Sequence, residues 1–281
     1  MKNKHDDIWF EEHLSDNEKR SYRLKNVLCH EKSKFHEIHI YDLFDNGISL
    51  ILDGHARVFE IDEFIYHEGF VHSSISRMDK IKSILVLGDG DGGLIRELLK
   101  CPEIKNIDWV EIDQAVVECC EQHLPSFPVG YKSDERVTLH FEDGVEFLRR
   151  TKNTYDIAFV SVTVSPETQF TTPFQNPDIY RQIRRVINNG GLVAHSLDEF
   201  SPASIGQYFL RVQVVQSEFK FVAPFSIPLP SFGSNWGFVL ASASPIREPK
   251  DCSPPGLRFY NLEEDDRMFR IPSYLVSDIP A

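Results

Sequence analysis

A glycine-rich stretch followed by two acidic positions contains the residues of this sequence best suited to ligand chemistry. Gly88, Gly90 and Gly93 form a Gly-x-Gly-x-x-Gly pattern between an apolar run and a helical pattern. Such a loop lets a ligand approach the backbone at the carboxyl end of a strand. Glu111 ends the next apolar run, about 20 residues on, where a carboxylate can accept both hydroxyls of a ribose. The spacing predicts an adenosine-binding site.

Two carboxylates within the loop indicate which adenosine compound binds. Asp89 and Asp91 lie where a dinucleotide would place its pyrophosphate. A carboxylate about 5 Å from a phosphate costs on the order of 3 kcal/mol at an effective dielectric of 20. The loop therefore disfavours a nicotinamide dinucleotide and a dehydrogenase. It favours a ligand with a sulfonium and an ammonium group, such as S-adenosylmethionine or decarboxylated S-adenosylmethionine.

A third acidic position follows the next predicted strand. Asp143 and Gly144 come after the run RVTLHF, where a carboxylate can accept a hydrogen bond from the adenine amino group. An Asp-Gly pair after a strand is also a common turn. With Glu111 and Asp91 at equivalent strand ends, we interpret Asp143 as a ligand-binding residue.

The elements that carry these residues fall into two patterns. Residues 1–65 contain short apolar runs separated by Asx-Gly turns, at Asn46-Gly47 and Asp53-Gly54, which predict a small antiparallel β domain. A helical spacing begins at Asp62. From Lys82, strand and helix patterns alternate, which predicts a mostly parallel sheet with helices on both faces. Residues 246–281 read as a tail packed on that domain.

Composition and charge exclude several classes of function. The chain has 281 residues, 41% of them hydrophobic, and a net charge of −13, which repels nucleic acid and attracts small cations. No apolar run is long enough to span a bilayer and the start has no signal-peptide core, so we expect no membrane association and a cytoplasmic location.

The cysteines and histidines indicate neither a disulfide framework nor a metal site. The five cysteines form no Cys-x-x-Cys pair and predict unpaired thiols. His36 and His39 point to opposite faces of a strand, so no metal site is expected.

Over nearly its whole length the sequence resembles the polyamine aminopropyltransferases, the spermidine synthase family. The shared segments occur in the family's order: WFE, SKFHEI, LILDG, DEFIYHE, LVLGDGDGGLIRELLK, VEID, EDG, SIPLPSFGSNWGFVLAS, FYN and RIPSYL. The resemblance implies an α/β fold: a small amino-terminal antiparallel β domain (1–65), then a Rossmann-like fold of the S-adenosylmethionine-dependent methyltransferase type (66–245) and the tail (246–281). It also implies self-association through the β domain, as a homodimer or homotetramer. Family members transfer an aminopropyl group from decarboxylated S-adenosylmethionine to an amine.

The resemblance also implies roles for individual residues. Asp91 would hold the amino group of the donor, Glu111 the ribose and Asp143 the adenine. Tyr66 and His67 would line the pocket, and His36 stands where the family has a donor-binding glutamine. The predicted donor-binding residues are His36, His67, Gly88, Asp89, Gly90, Asp91, Gly92, Glu111, Asp143, Gly144 and Ser161, and the predicted catalytic residues are Asp91, Tyr66, Ser161 and Asp198.

The acceptor side departs from the family. After YDIAFV the family has Asp-Ser-Ser-Asp-Pro, whereas this chain has Ser-Val-Thr-Val-Ser-Pro over residues 161–166, so both acids are replaced. The family's later Gln and Glu fall near Ser196 and Asp198, and its pocket Tyr becomes Pro230 or Ser231. The donor half of the family's site is retained and the acceptor half is changed.

These replacements change the expected reaction. An alkyl amine with a pKa of about 10 must lose a proton before it attacks. Ser161 and Val164 cannot take this proton, so ordinary diamine substrates are disfavoured unless Asp89, Glu167 or Asp198 reaches the site. A serine hydroxyl can, however, donate to a donor carboxylate. The leading hypothesis is transfer of a methyl or aminocarboxypropyl group from intact S-adenosylmethionine to a small amine-bearing acceptor. The alternatives are a genuine aminopropyltransferase and a nucleoside-binding pseudoenzyme.

Overall fold

The computed structural model describes residues 8–128, 130–162, 174 and 176–276, without the side chain of Asp198. The described chain forms two compact units. One contains the residues up to Glu63 together with Gly90–Gly93 and residues 113–128, and the other contains Phe64–Asp89, Leu94–Ile112 and the residues from Gly130 onwards.

The strands are β1 (Trp9–Ser15), β2 (Glu18–Lys32), β3 (Glu37–Leu43), β4 (Gly47–Leu52), β5 (His55–Phe59), β6 (Ser83–Gly88), β7 (Asn106–Glu111), β8 (Val137–Phe141), β9 (Tyr155–Ser161), β10 (Ile187–Phe200), β11 (Phe221–Leu229) and β12 (Ser234–Ser242). The helices are α1 (Glu63–Ile75), α2 (Gly93–Leu99), α3 (Gln114–His123), α4 (Gly144–Arg150), α5 (Pro177–Val186), α6 (Ile205–Gln216), α7 (Leu262–Met268) and α8 (Ser273–Val276).

The amino-terminal unit contains a five-stranded antiparallel sheet in chain order, β1-β2-β3-β4-β5. The two turns predicted from Asx-Gly pairs connect β3 to β4 and β4 to β5. At the first turn Gly47 has φ of +73°, and a Cβ there would lie 2.6 Å from Oε2 of Glu60, so the position requires glycine. The sequence did not predict β1 and β2. Burial alternates along β1, but the buried position 12 carries a glutamate, and most residues of β2 are exposed, so the apolar period-two signal is weak.

The second unit contains a seven-stranded sheet in the order β11-β12-β10-β9-β6-β7-β8. Strands β10, β9, β6, β7 and β8 are parallel, whereas β12 pairs antiparallel with both β10 and β11. The fold class predicted from the alternating pattern is confirmed. The sequence did not predict β11 as a strand; Phe225 and Ile227 in this strand are fully buried.

Helices cover both faces of this sheet. On one face, α4, α5 and α6 bury residues such as Phe147, Ile183 and Val212 against the strand residues Leu85 and Val160. On the other face, Phe70 of α1 contacts Phe159 and Phe238, with ring centroids 5.3 and 4.8 Å apart. These apolar contacts fix the ends of the parallel strands in place.

The carboxyl-terminal segment is tied to α1 by buried polar groups. The carboxylate of Glu68 accepts hydrogen bonds from three successive backbone amides, at Arg258, Phe259 and Tyr260. Arg77 donates two hydrogen bonds to the carboxylate of Asp265, at 2.9 and 2.8 Å. Glu68, Arg77 and Asp265 are buried, and their charges are compatible with the interior because each is hydrogen-bonded. No helix in the described part of the chain has the length and apolar character needed to cross a bilayer.

Candidate functional site

The carboxyl ends of four parallel strands bring the predicted site residues of the second unit into one row. Ser161 at the end of β9 pairs with Gly88 at the end of β6. Leu87 pairs with Val110, so Gly88 and Glu111 are the next residues of their strands. Glu111 in turn pairs with Phe141 of β8. This edge of the sheet is where doubly wound folds bind ligands.

Gly88 allows a close approach between β6 and β9. Its φ is +87°, and a Cβ at this position would lie 2.4 Å from the carbonyl oxygen of Ser161. Its own carbonyl accepts a hydrogen bond of 2.9 Å from Nε1 of Trp109. Any side chain at position 88 would push apart the two strands that carry Gly88 and Ser161, so the predicted role of Gly88 has a steric basis.

The two carboxylates predicted to bind the nucleoside occupy the ends of β7 and β8. Glu111 is 8% exposed, and its carbonyl accepts the amide of Glu142 at 3.1 Å. Asp143 is half-buried and caps α4, since its Oδ1 accepts the amides of Val145 and Glu146 at 2.7 and 3.3 Å. The cap fixes the direction of the Asp143 carboxylate, and Gly144 begins the helix behind it.

The Asp89 side chain is buried and points at the start of α2. Its φ is +73°, an uncommon conformation for a residue with a side chain, and it is 3% exposed. The carboxylate accepts the amide of Leu94 at 3.1 Å and that of Ile95 at 3.3 Å. A ring nitrogen of the buried His67 lies within 4.8 Å of a carboxylate oxygen of Asp89. Asp89 therefore fixes the start of α2 to the end of β6.

Ser161 lies beside a second hydroxyl. The Oγ of Ser161 and the phenol oxygen of Tyr66 are 3.3 Å apart, and either can be the donor. The Tyr66 ring packs on Phe238, with centroids 5.2 Å apart. Two of the predicted catalytic residues thus come together, and both have neutral side chains at neutral pH.

The acceptor side is described in part. Ser196 is 7% exposed and its Oγ accepts a hydrogen bond of 2.9 Å from Nε1 of Trp236. The backbone of Asp198 pairs with Gly237 after a register shift that follows Ser196. Pro230 and Ser231 lie in a short 3-10 turn, Pro230–Phe232. Thr163 to Pro166 and Glu167, which the sequence analysis considered, are outside the described residues.

The remaining predicted residues belong to the amino-terminal unit. His36 precedes β3, and its Nδ1 lies 2.7 Å from Oδ2 of Asp53, whose Oδ1 accepts the amide of Glu37. Asp91 accepts the amide of Gly93 at 3.0 Å. Asp53 was not predicted as an orienting partner of His36, because the Asp53-Gly54 pair indicated only a turn.

Two further glycines of the loop have different roles in this unit. Gly92 has φ of +72°, and a Cβ there would lie 2.6 Å from the Cδ of Pro128, so position 92 requires glycine. Gly90 is half-buried.

The expectation of no metal stays a prediction. The amino-terminal unit contains two groups of residues whose possible ligand atoms lie within 4.8 Å of one another inside each group. The first group is Cys29, Glu31 and Cys119, and the second is His30, Glu37 and His39.

Comparison with known proteins identifies the family. Residues 63–250 match the spermine/spermidine synthase domain, and residues 8–60 match the spermidine synthase tetramerisation domain. The polyamine aminopropyltransferase of Clostridium acetobutylicum is 32% identical, with 97% of this chain and 98% of that protein covered. The one of Methanocaldococcus jannaschii is 33% identical, with 84% of this chain and 80% of that protein covered.

Solved structures share the fold. A spermidine synthase in complex with the transition-state analogue AdoDATO matches with a TM-score of 0.89 and 23% identity, over 95% of this chain and 93% of that one. The spermidine synthase of Thermotoga maritima matches with a TM-score of 0.87 and 23% identity, over 95% and 92% of the two chains.

The fold defines an α/β protein of the spermidine synthase type. The chain belongs to the spermine/spermidine synthase family and is a transferase. The resemblance is confirmed, and the dehydrogenase and pseudoenzyme alternatives lose their support. Between the two transferase hypotheses, the relatives favour aminopropyl transfer, which was the alternative, over transfer from intact S-adenosylmethionine.

Proposed function

We propose that this protein transfers the aminopropyl group of decarboxylated S-adenosylmethionine to a small amine and releases methylthioadenosine. The observation that carries the proposal is the row of residues at the carboxyl ends of the parallel strands. In this row the buried Glu111 lies beside Gly88, which has no side chain. A carboxylate there can accept both hydroxyls of a ribose. The names of the relatives support the aminopropyl donor.

Two acids of the second unit would hold the nucleoside of the donor. Glu111 would accept the ribose hydroxyls and Asp143 the adenine amino group. Each contact is a charge-assisted hydrogen bond. A net charge of −13 adds a general attraction for the cationic donor and amine.

The reaction is an in-line displacement. The lone pair of the acceptor nitrogen forms a bond to the methylene carbon next to the sulfonium, the carbon–sulfur bond breaks, and its electrons leave on the neutral sulfur of methylthioadenosine. The nitrogen then carries an extra proton, which passes to a base or to solvent. The protein would accelerate this step chiefly by positioning the donor and the acceptor amine for in-line attack.

A second candidate, transfer of a methyl or aminocarboxypropyl group from intact S-adenosylmethionine, is favoured by one observation. Position 161 carries a hydroxyl, 3.3 Å from the Tyr66 hydroxyl, where the family resemblance implies an acid. A hydroxyl pair can donate to the carboxylate of intact S-adenosylmethionine, which an acid would repel.

The two candidates differ in donor and product. The protein is incubated with putrescine and each donor in turn, and the thioether is identified by mass spectrometry. We expect methylthioadenosine from the decarboxylated donor, together with spermidine. Turnover only with intact S-adenosylmethionine, with release of either S-adenosylhomocysteine or methylthioadenosine, would establish the second candidate and reject aminopropyl transfer.

Replacing Glu111 by alanine is expected to weaken binding of methylthioadenosine by about 10- to 100-fold. The variant leaves the two ribose hydroxyls without their acceptor, which costs roughly 1–3 kcal/mol. Titration calorimetry on wild type and variant measures the two dissociation constants. Glu118→Ala, on the exposed side of α3, serves as the matched control and should bind as wild type does. Equal affinities in wild type and Glu111→Ala would remove Glu111 from the site.

Self-association is proposed for the same chain. Residues 8–60 match a tetramerisation domain, and β1 and β5 are the edge strands of the five-stranded sheet. Edge strands of this kind are normally covered. Both observations support a homo-oligomer formed through the amino-terminal unit.

A further inference from the structure

Two cysteines of the amino-terminal unit lie side by side although they are 90 residues apart in the chain. The Sγ atoms of Cys29, on β2, and Cys119, on α3, are 2.8 Å apart. Cys119 is buried, with 5% of its surface exposed, whereas Cys29 is half-buried. A small reagent in solvent can therefore reach the Cys29 thiol, and the Cys119 thiol can reach Cys29.

The backbone holds both cysteines in place. The pairing of β2 with β3 shifts register between Val27 and Cys29, a bulge that re-aims the side chains that follow it. The start of α3 is fixed by Asp113, which caps the amide of Ala115 and accepts a hydrogen bond of 2.5 Å from Oγ of Ser33, in the turn after β2. The two sulfur atoms are thus brought together by elements that are already connected.

A neighbouring carboxylate distinguishes the two thiols. Oε2 of Glu31 lies 3.4 Å from Sγ of Cys119. Burial raises the pKa of the Cys119 thiol, and the neighbouring Cys29 and Glu31 raise it further. Cys119 is therefore a poor first nucleophile, and Cys29 is the thiol that a reagent meets first.

We propose that Cys29 and Cys119 form a disulfide when the protein meets a disulfide oxidant such as oxidised glutathione. The thiolate of Cys29 attacks one sulfur of glutathione disulfide, which forms a mixed disulfide and releases one glutathione thiolate. Cys119 then loses its proton to Glu31 or solvent and attacks the Cys29 sulfur, which releases the second glutathione. Two protein thiols are oxidised and one glutathione disulfide is reduced to two glutathione molecules.

Geometry favours the disulfide over a metal site at the same residues. Cys29, Glu31 and Cys119 could supply three ligand atoms. Two thiolates bound to one tetrahedral zinc, each at about 2.3 Å, lie roughly 3.8 Å apart. The observed separation of the Cys29 and Cys119 Sγ atoms, 2.8 Å, is shorter than this, as formation of a sulfur–sulfur bond requires.

The experiment uses the full chain equilibrated with oxidised or reduced glutathione, followed by alkylation, digestion and mass spectrometry. We expect a cross-linked peptide pair containing Cys29 and Cys119, two hydrogens lighter than the reduced pair, and a thermal midpoint about 10 °C higher than in reduced protein. Cys29→Ser should lose both effects, whereas Cys252→Ser, a change at an exposed cysteine, should keep them.

The exposed Cys252 also reports whether the oxidant has acted. If Cys252 of the wild type is modified by glutathione while Cys29 and Cys119 stay unlinked, the proposal is wrong. The same holds if native mass spectrometry shows a zinc ion bound and both thiols become reactive only after a chelator removes it. Neither result depends on the transferase activity, so the proposed function is tested separately.

Discussion

Replacing Ser161 by aspartate is expected to raise the rate of aminopropyl transfer at pH 7 by about 100-fold. An amine with a pKa of about 10 is only about one part in a thousand neutral at this pH. A carboxylate beside the nucleophile can accept or direct its proton, and positioned acid–base groups of this kind contribute 10²–10⁴-fold. Position 161 ends β9 next to Gly88, in the row proposed to hold the donor.

A partner for the new carboxylate is already present. Ser161 is half-buried, and its Oγ lies 3.3 Å from the hydroxyl of Tyr66, which can donate to the carboxylate. Ser161→Asn is the matched control, because asparagine has the shape of aspartate but cannot take a proton. The measurement is kcat/KM with decarboxylated S-adenosylmethionine and putrescine for the three proteins.

The pH profile separates a role in proton transfer from a change in packing. Below the pKa of the amine, the neutral fraction rises tenfold for each pH unit, so the rate of the wild type should rise steeply from pH 7 to 9. Ser161→Asp should show a shallower rise, and Ser161→Asn should follow the wild type. If asparagine and aspartate give the same rate and profile, a missing acid at position 161 does not limit turnover.

The second large effect concerns stability in acid and depends on Glu97. This residue of α2 is fully buried, and its carboxylate accepts hydrogen bonds from Nζ of Lys100 at 2.7 and 2.8 Å and from Nε of Arg96 at 2.9 Å, with Nε2 of His72 at 3.0 Å. Burial alone would raise the pKa of Glu97. The hydrogen bonds from His72 and Lys100, together with the charges of Arg96 and Lys100, outweigh burial and lower the pKa to about 2.

The sign of the pH dependence follows from this lowering. The pKa of Glu97 is near 4.5 in the unfolded chain and about 2 in the folded protein, so the carboxylate stabilises the fold above about pH 4.5. That contribution, about 3 kcal/mol, is lost as the pH falls from 4.5 towards 2. Glu97→Gln should therefore be less stable than wild type at pH 7, and the difference should shrink as the pH falls.

Urea unfolding at a series of pH values from 7 to 3 measures both free energies. The difference between the free energies of unfolding of the two proteins at each pH cancels the contribution of the other carboxylates, which titrate in both proteins. Glu118→Gln, an exposed change, should run parallel to the wild type throughout. A constant difference between wild type and Glu97→Gln across this range would mean that Glu97 has an ordinary pKa in the folded protein.

The sequence was sufficient to predict that several of the proposed donor-binding residues lie at one edge of a sheet. Glu111 and Asp143 each follow an apolar run in an alternating strand and helix pattern, and the carboxyl ends of parallel strands meet at one edge of a sheet. Local order along the chain was therefore enough to group them with Gly88. The amino-terminal strands β1 and β2 were missed because the buried Glu12 interrupts the apolar pattern of β1 and because most residues of β2 are exposed.

Only the tertiary structure decided which side chains meet. The sequence indicated an Asp-Gly turn at Asp53 and an acid in the glycine loop at Asp89, but it could not show that Asp53 contacts His36 or that Asp89 caps the start of α2. The same is true of Cys29 and Cys119, which the sequence predicted as unpaired thiols. Local periodicity fixes which face of a strand or helix is buried, whereas contacts between distant residues depend on strand register, bulges and helix packing, which involve the whole chain.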